Sequence, residues 1–176
     1  SDANLDGADL TNVANLSNAD LSNADMTDAD LEFADLRNAD LTGTNLNYTD
    51  LYGADLDGAN LSNADLTNAR LSDAYLTEAN LSNADLTNAN LADAYLDGAN
   101  LTGADLDGAD LTGARLNLAD LSNLDLTNAD LTGAYLNSAD LTDAYLNGAD
   151  LSNAADLASA NLLGANIFGE MSELLI

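Results

Sequence analysis

The sequence predicts an all-β solenoid, a chain wound into stacked coils rather than folded around one globular centre. The first observation behind this is a period. From Ala14-Asn15-Leu16 to Ala149-Asp150-Leu151, the pattern of Ala, then Asp or Asn, then Leu, then two small or polar residues recurs about 28 times without an insertion. A fixed short period marks stacked identical units. The second is that an apolar period of five suits neither an α-helix at 3.6 residues nor a coiled coil at 3.5. The third is composition. Acidic residues number 31 against 3 Arg, with no Lys, for a net charge of −28, yet 47% of the residues are hydrophobic. Their strict placement, and the even spread of charge, separate this chain from a disordered acidic tail.

Each pentapeptide divides into a wall and a corner. Ala, Asp or Asn, and Leu alternate inward, outward, inward, as a short strand does. The next position takes Thr, Ser, Asp or Asn. The one after it is dominated by Gly and Asn, as at Gly53, Gly58, Gly103, Gly108, Asn63 and Asn83. A type II turn needs positive φ at its second central residue, which Gly and Asn supply at least cost. Coils built this way stack at ~4.8 Å, with ladders of Leu inside and Ala in the tighter places. Each buried Leu contributes roughly 1.5–3 kcal/mol, set against the backbone entropy of ordering the chain.

The pattern is broken in few places. One extra residue separates Leu10 from Leu16, and another separates Leu151 from Leu157, where Ala154-Ala155 is doubled. Both read as end irregularities of a solenoid or as loosened corners. At the inward Ala position only Thr44, Thr49 and Leu124 differ. The Thr hydroxyls are expected to bond wall carbonyls, and the bulk of Leu124 is expected to shift its wall locally. After Ile167 the repeat stops.

Tandem Ala-(Asp/Asn)-Leu-X-X, running from Ala3-Asn4-Leu5 to Ala165-Asn166-Ile167, resembles the pentapeptide-repeat family. The resemblance implies a right-handed quadrilateral parallel β-helix with four pentapeptides per coil. Walls and corners alone do not choose four sides over three. About 33 repeats then give roughly 8 coils and a rod ~40 Å long at the strand spacing. Residues 1–167 are read as the β-helix and 168–176 as a short C-terminal cap or dimerisation tail. In that tail Phe168, Met171, Leu174, Leu175 and Ile176 are placed to cover the last coil's Leu ladder and open edge. The alternative use of the tail is an end-to-end homodimer, which some members of the family resemble. The sequence opens directly on a repeat, which suits an excised fragment, and so regular an array without Lys, Cys or His also suits an engineered one.

Candidate sites are the exceptions at the outward position. Between Leu16 and Leu151 that position is Asp or Asn except at Arg70, Tyr75, Tyr95, Arg115, Tyr135 and Tyr145. Tyr75, Tyr95, Arg115 and Tyr135 are spaced by 20, so in a four-sided coil they stack as one ladder. Such a ladder either relieves Asp-on-Asp repulsion or forms an interaction face, since Tyr and Arg are common contact anchors. Phe33, Tyr48 and Tyr52 form a second candidate patch, at adjacent corners of neighbouring coils. The remaining faces are Asp columns such as Asp65, Asp85, Asp105 and Asp125. Carboxylates ~4.8 Å apart repel by about 1 kcal/mol even in water. These Asp are therefore expected to titrate above ~3.9, and the fold to weaken as pH rises through the folded values.

The chain has no His, Cys or Lys to serve as base, thiol or amine, and a smooth rod offers no water-excluding cleft. No catalytic residue, cofactor or metal site is therefore assigned, and diffuse counterions are expected along the Asp columns. With three Arg, direct binding to nucleic acid is excluded. No run approaches the ~18 apolar residues of a membrane span and no basic-then-apolar leader is seen, so the expected compartment is the cytoplasm. The reading is a non-enzymatic rod serving as structural scaffold or protein-interaction module, with an unknown protein partner. The alternative comes from the resemblance. Pentapeptide-repeat proteins conferring quinolone resistance act as DNA mimics on DNA gyrase, a type II topoisomerase. A charge of −28 over ~40 Å is one per ~1.4 Å, close to the ~1.7 Å of duplex DNA. The loops of those relatives are missing between Leu16 and Leu151.

Overall fold

The structure, a computed structural model, describes residues 4–11, 15–155 and 160–163. No described residue is helical. Each outward residue makes a parallel bridge to the outward residue 20 places on, as in Asp25 to Asn45, Asn45 to Asp65, and onward to Tyr135 with Ala155. One coil is thus 20 residues, or four pentapeptides, with four bridging positions per coil.

Pairing is confined to single bridges, where three-residue strands had been expected. Residues 50–54 show why, because their five N–H groups are all committed. Asp50 N donates to Ala29 O in the coil before at 2.9 Å, and Leu51 N donates to Arg70 O in the coil after at 2.7 Å. Gly53 N reaches Ser72 O at 3.0 Å, while Ala54 N turns back to Leu51 O at 3.0 Å and closes the corner. The remaining donor, Tyr52 N, goes to the side chain of Asp50 at 3.0 Å. The corner begins immediately after each Leu and ends at the next Ala, which leaves one residue per side to pair on both edges.

The corners have the expected sign of backbone angle. Positive φ falls on the second corner residue, at 55° for Asn23 and 61° for Gly53, but also at 57° for Phe33 and Tyr48 and 61° for Leu118. The last three pay the steric cost that Gly avoids.

Inside, the central Leu from Leu31 to Leu141 are no more than 1% exposed. Thr44 and Thr49 are fully buried in the Ala column. Their hydroxyls donate to Leu21 O at 3.0 Å and Met26 O at 2.8 Å, as expected of them. Leu124 is also fully buried. Around it the coil-to-coil bonds Leu101 N to Asp120 O and Leu106 N to Asp125 O are 3.0 and 2.9 Å, against 2.7 Å at Leu96 to Arg115 and Leu111 to Asp130. The coils are thus slightly further apart on the two walls beside Leu124.

Towards the ends the register carries one additional residue. Asn4 pairs with Asp25 and Asp9 with Asp30, 21 apart, whereas Asn15 pairs with Asp35, 20 apart. At the other end Tyr135 pairs with Ala155 but Asp140 with Asn161. Ala155 therefore takes the outward place of an Asp, and the extra residue enters between 155 and 161 rather than at the Ala pair. The tail residues Phe168, Met171, Leu174, Leu175 and Ile176 lie outside the described residues.

Candidate functional site

The outward Asp or Asn has a structural task. Its Oδ1 accepts the N–H of the first corner residue two places on, as in Asp65 to Thr67 at 3.0 Å, Asn80 to Ser82 at 3.1 Å and Asp120 to Ser122 at 3.0 Å. This is an Asx cap, and it satisfies the one backbone donor of the corner that meets no backbone carbonyl of a neighbouring coil. An outward residue that is not Asp or Asn gives up that cap, so the exceptions mark places where another use outweighs it.

Tyr75, Tyr95, Arg115 and Tyr135 bridge consecutively on one wall. The rings of Tyr75 and Tyr95 stack with centroids 4.9 Å apart and planes 9° apart. The Arg115 guanidinium lies 5.3 Å from the Tyr95 centroid, and its Nη2 is 3.0 Å from Asp97 Oδ2. Asp97 Oδ1 accepts from Asn117 Nδ2 at 2.7 Å, and Asn117 Oδ1 accepts Asn137 N at 3.2 Å. Earlier in the same corner stack, Asp57 Oδ1 accepts Thr77 N at 2.8 Å. The corners that follow Tyr75 and Tyr135 are thus capped from the preceding coil. Between Arg115 and Tyr135 the face opens into a shallow recess of about 470 Å³ lined by Asp93, Tyr95, Gly113, Arg115, Asn117 and Tyr135.

The second patch is brought together in part. Phe33 and Tyr52 meet edge to face with centroids 5.3 Å apart. The ring of Phe33 lies where a Cβ on Gly53 would stand, 2.6 Å from its Cε1. Tyr48, 61% exposed, stands one corner away, with its N–H bonded to Thr67 O. A residue absent from the expected patch completes it. Arg70 lies 4.4 Å over the Tyr52 ring and pairs with Asp50 at 2.7 Å and Glu32 at 3.1 Å. The signal for this was in the numbering, since Arg70 is 18 residues after Tyr52 and 20 after Asp50, the same offsets that link Arg115 to Asp97 and Tyr95. Arg37, the third cation, pairs with Asp35 at 2.6 Å and Asp55 at 3.4 Å.

Asp9, Asp20, Asp35, Asp85, Asp120 and Asp150 titrate in the direction opposite to that expected of the columns. Donors from Thr11 hold Asp9 below the ordinary 3.8, those of Ser22 hold Asp20 down, those of Arg37 hold Asp35 down, and those of Ser152 hold Asp150 down. At Asp85 and Asp120 partial burial works upward. The side-chain and backbone donors of Thr87 and Ser122, with the hydroxyls of Thr67 and Thr102, outweigh it. Local hydrogen bonds at the cap exceed repulsion between coils, because the donors sit at contact distance and the neighbouring carboxylates are a coil away in water. On another wall amides replace part of the column, with Asn80 Nδ2 donating to Asn60 Oδ1 at 3.0 Å. No three carboxylates among the described residues are grouped to hold a metal ion. No described helix is long and apolar enough to cross a membrane.

The pentapeptide-repeats family model matches the chain in eight copies, over residues 1–43, 34–73, 74–113, 114–153 and 134–169. No curated protein matches. Among solved structures the chain is similar to HetL of the cyanobacterium Nostoc sp. strain PCC 7120, a pentapeptide repeat protein involved in heterocyst differentiation regulation. Identity is 35% over 94% of this chain and 87% of that one, with a TM-score of 0.34. A pentapeptide repeat protein of the Arabidopsis thaliana thylakoid lumen is 31% identical over 66% of this chain and 67% of that one, with a TM-score of 0.29. QnrB1, a plasmid-mediated fluoroquinolone resistance protein, is 17% identical over 86% of this chain and 88% of that one, with a TM-score of 0.39.

Proposed function

The chain belongs to the pentapeptide-repeat family, and from that premise we propose that it is a non-enzymatic rod, a right-handed four-sided β-helix of about eight coils, that binds a protein partner through its aromatic wall. The observation that carries the reading is the placement of its exceptions. All three Arg, together with Phe33, Tyr52, Tyr75, Tyr95 and Tyr135, fall on two adjacent walls and the corners between and beside them. Of the other two walls, one carries only Asp and Asn over the same coils and the other a single exception, Tyr145. Exceptions that served only to relieve repulsion would be shared more evenly among the four walls. Tyr75 and Tyr135 are 45% and 48% exposed, which is costly for an isolated fold and useful to a contact surface.

The test is affinity capture from the host with the parent and with a variant carrying Tyr75→Asn, Tyr95→Asn, Arg115→Asn and Tyr135→Asn. Asn is the repeat's own residue at this position, so the variant keeps its corner caps and its fold, checked by circular dichroism. A partner retained by the parent and lost by the variant supports the reading, and equal capture by both removes it. The second reading is a DNA mimic on DNA gyrase, favoured by the net charge of −28. A gyrase supercoiling assay separates the two, since a mimic inhibits at micromolar protein and loses potency steeply with salt.

A further inference from the structure

Arg115 does not sit midway in its ladder. Its guanidinium leans toward the preceding coil, over Tyr95 and onto Asp97, and beside it lies the recess, lined by Asp93 and Tyr95 from the coil before and Tyr135 from the coil after. The adjoining corners widen it. Gly113 and Gly133 follow Asp93 in one corner stack, and nothing lies within 4 Å of where a Cβ on Gly133 would stand. A side chain entering here meets the ring of Tyr135 on one side and the carboxylate of Asp93 past Gly113 on the other.

The electrostatics select what enters. The charge of Arg115 is met by Asp97 at 3.0 Å, so Asp93 is the unbalanced charge of the lining. All three cations of the chain are already in ion pairs with its own carboxylates, and the net charge of −28 repels an anionic ligand or a second copy of the rod. A cation facing an aromatic ring and a carboxylate is stabilised by both. The rings of Tyr75 and Tyr95 are stacked on each other and so turn edges outward, which leaves little flat surface for a sugar ring. From this we infer that the recess between Arg115 and Tyr135 receives a guanidinium-bearing side chain from a basic segment of the protein partner. The inference rests on the protein-binding reading above and specifies the chemistry of the partner at that wall.

The test is fluorescence anisotropy with a labelled peptide of alternating Gly and Arg, and with the same peptide carrying citrulline for arginine, at about 150 mM salt, where the Debye length is about 8 Å. The parent binds the arginine peptide and not the citrulline one. Tyr135→Asn leaves the net charge unchanged and weakens binding about ten-fold, through loss of a partly desolvated cation–π contact. A variant with Asp65, Asp85, Asp105 and Asp125 all changed to Asn removes four charges from another wall and weakens binding less than about two-fold at this salt. Equal affinity of parent and Tyr135→Asn, a larger loss in the Asp variant, or no binding by the parent each overturns the inference. If capture by the ladder persists while any of these is found, the protein-binding reading stands and only the cationic occupant fails. If capture is independent of the ladder, the reading itself fails.

Discussion

Changing Asp85 separates two accounts of why the outward position is acidic. Its Oδ1 accepts Thr87 N at 3.0 Å, and it bridges Asp65 and Asp105 in its column. In Asp85→Ala the corner donor loses its cap, which costs about 1 kcal/mol by analogy with helix caps. For a chain of this size that lowers the melting temperature by about 2–4 °C. In Asp85→Asn the Oδ1 acceptor remains and the charge goes, so the cap is kept but loses the charge assistance that holds the Asp85 carboxyl below its ordinary value. The expected order of stability is therefore Asp at or above Asn, with Ala below both. Thermal melts followed by circular dichroism at low and high salt measure it. The gap between Asn and Ala persists at both. If Ala melts at or above the parent, the column is governed by repulsion and the capping argument is wrong.

Other consequences follow from the same coil. Deleting residues 81–100 removes one whole turn and leaves a shorter, folded rod, whereas deleting 7 residues from the same region puts polar side chains inside and abolishes the cooperative melt, because coils contact only their neighbours. Carboxylates held below 3.8 in the fold, such as Asp9, Asp35 and Asp85, contribute stability that is fully present above the unfolded value. That stability is lost as pH falls through the folded values, so melting temperature stays level from about pH 8 to 5 and drops below about pH 4. A rise in melting temperature on acidification would reverse the sign. Gly53→Ala places a Cβ 2.6 Å from the Phe33 ring at a φ of 61° and destabilises by about 1–3 kcal/mol. Pairing it with Phe33→Asn restores the part due to the clash, and a double mutant no better than the single would locate the whole cost in the backbone.

The fold was legible because every level of the sequence repeats the same instruction. The period placed Leu and Ala inside, the Gly and Asn corners have positive φ, and the hydroxyls of Thr44 and Thr49 found carbonyls. Two things were not legible. The outward Asp was read as a charge when it is first an acceptor. A cap at two residues' distance depends on a side-chain rotamer, which the pattern of apolar residues does not encode, and this one bond also reversed the expected titration. The Arg70 cluster was missed because its members sit at different positions of the pentapeptide. A period of 5 aligns like with like, whereas the contacts of Arg70 with Tyr52 and of Arg115 with Asp97 run from a wall to the corner of the coil before. The ladder of Tyr75, Tyr95 and Arg115 was found because all three occupy one position and a spacing of 20 brings them together.

The caps also bear on what the charge signifies. Where a corner takes its cap from the outward residue, the presence of Asp or Asn there is set by folding and says nothing of a partner. Asn also serves the cap, as Asn45 to Asn47 at 3.2 Å and Asn90 to Ala92 at 3.0 Å demonstrate, so the fold leaves the choice of Asp over Asn open. Charge is therefore the free variable of this surface and capping the fixed one. Where amides replace carboxylates, at Asn60, Asn80 and Asn100, the wall is held by hydrogen bonds between coils, and where Tyr and Arg replace them it is held by stacked rings and an ion pair. The Asp65, Asp85, Asp105 and Asp125 column has no amide ladder and no ion pair, only the Thr67 hydroxyl on Asp85, and its charge is left to act outward. It sets a field that draws a cationic partner to the rod from any side. On the protein-binding reading proposed above, the aromatic wall, with its recess beside Tyr135, is where such a partner would be held.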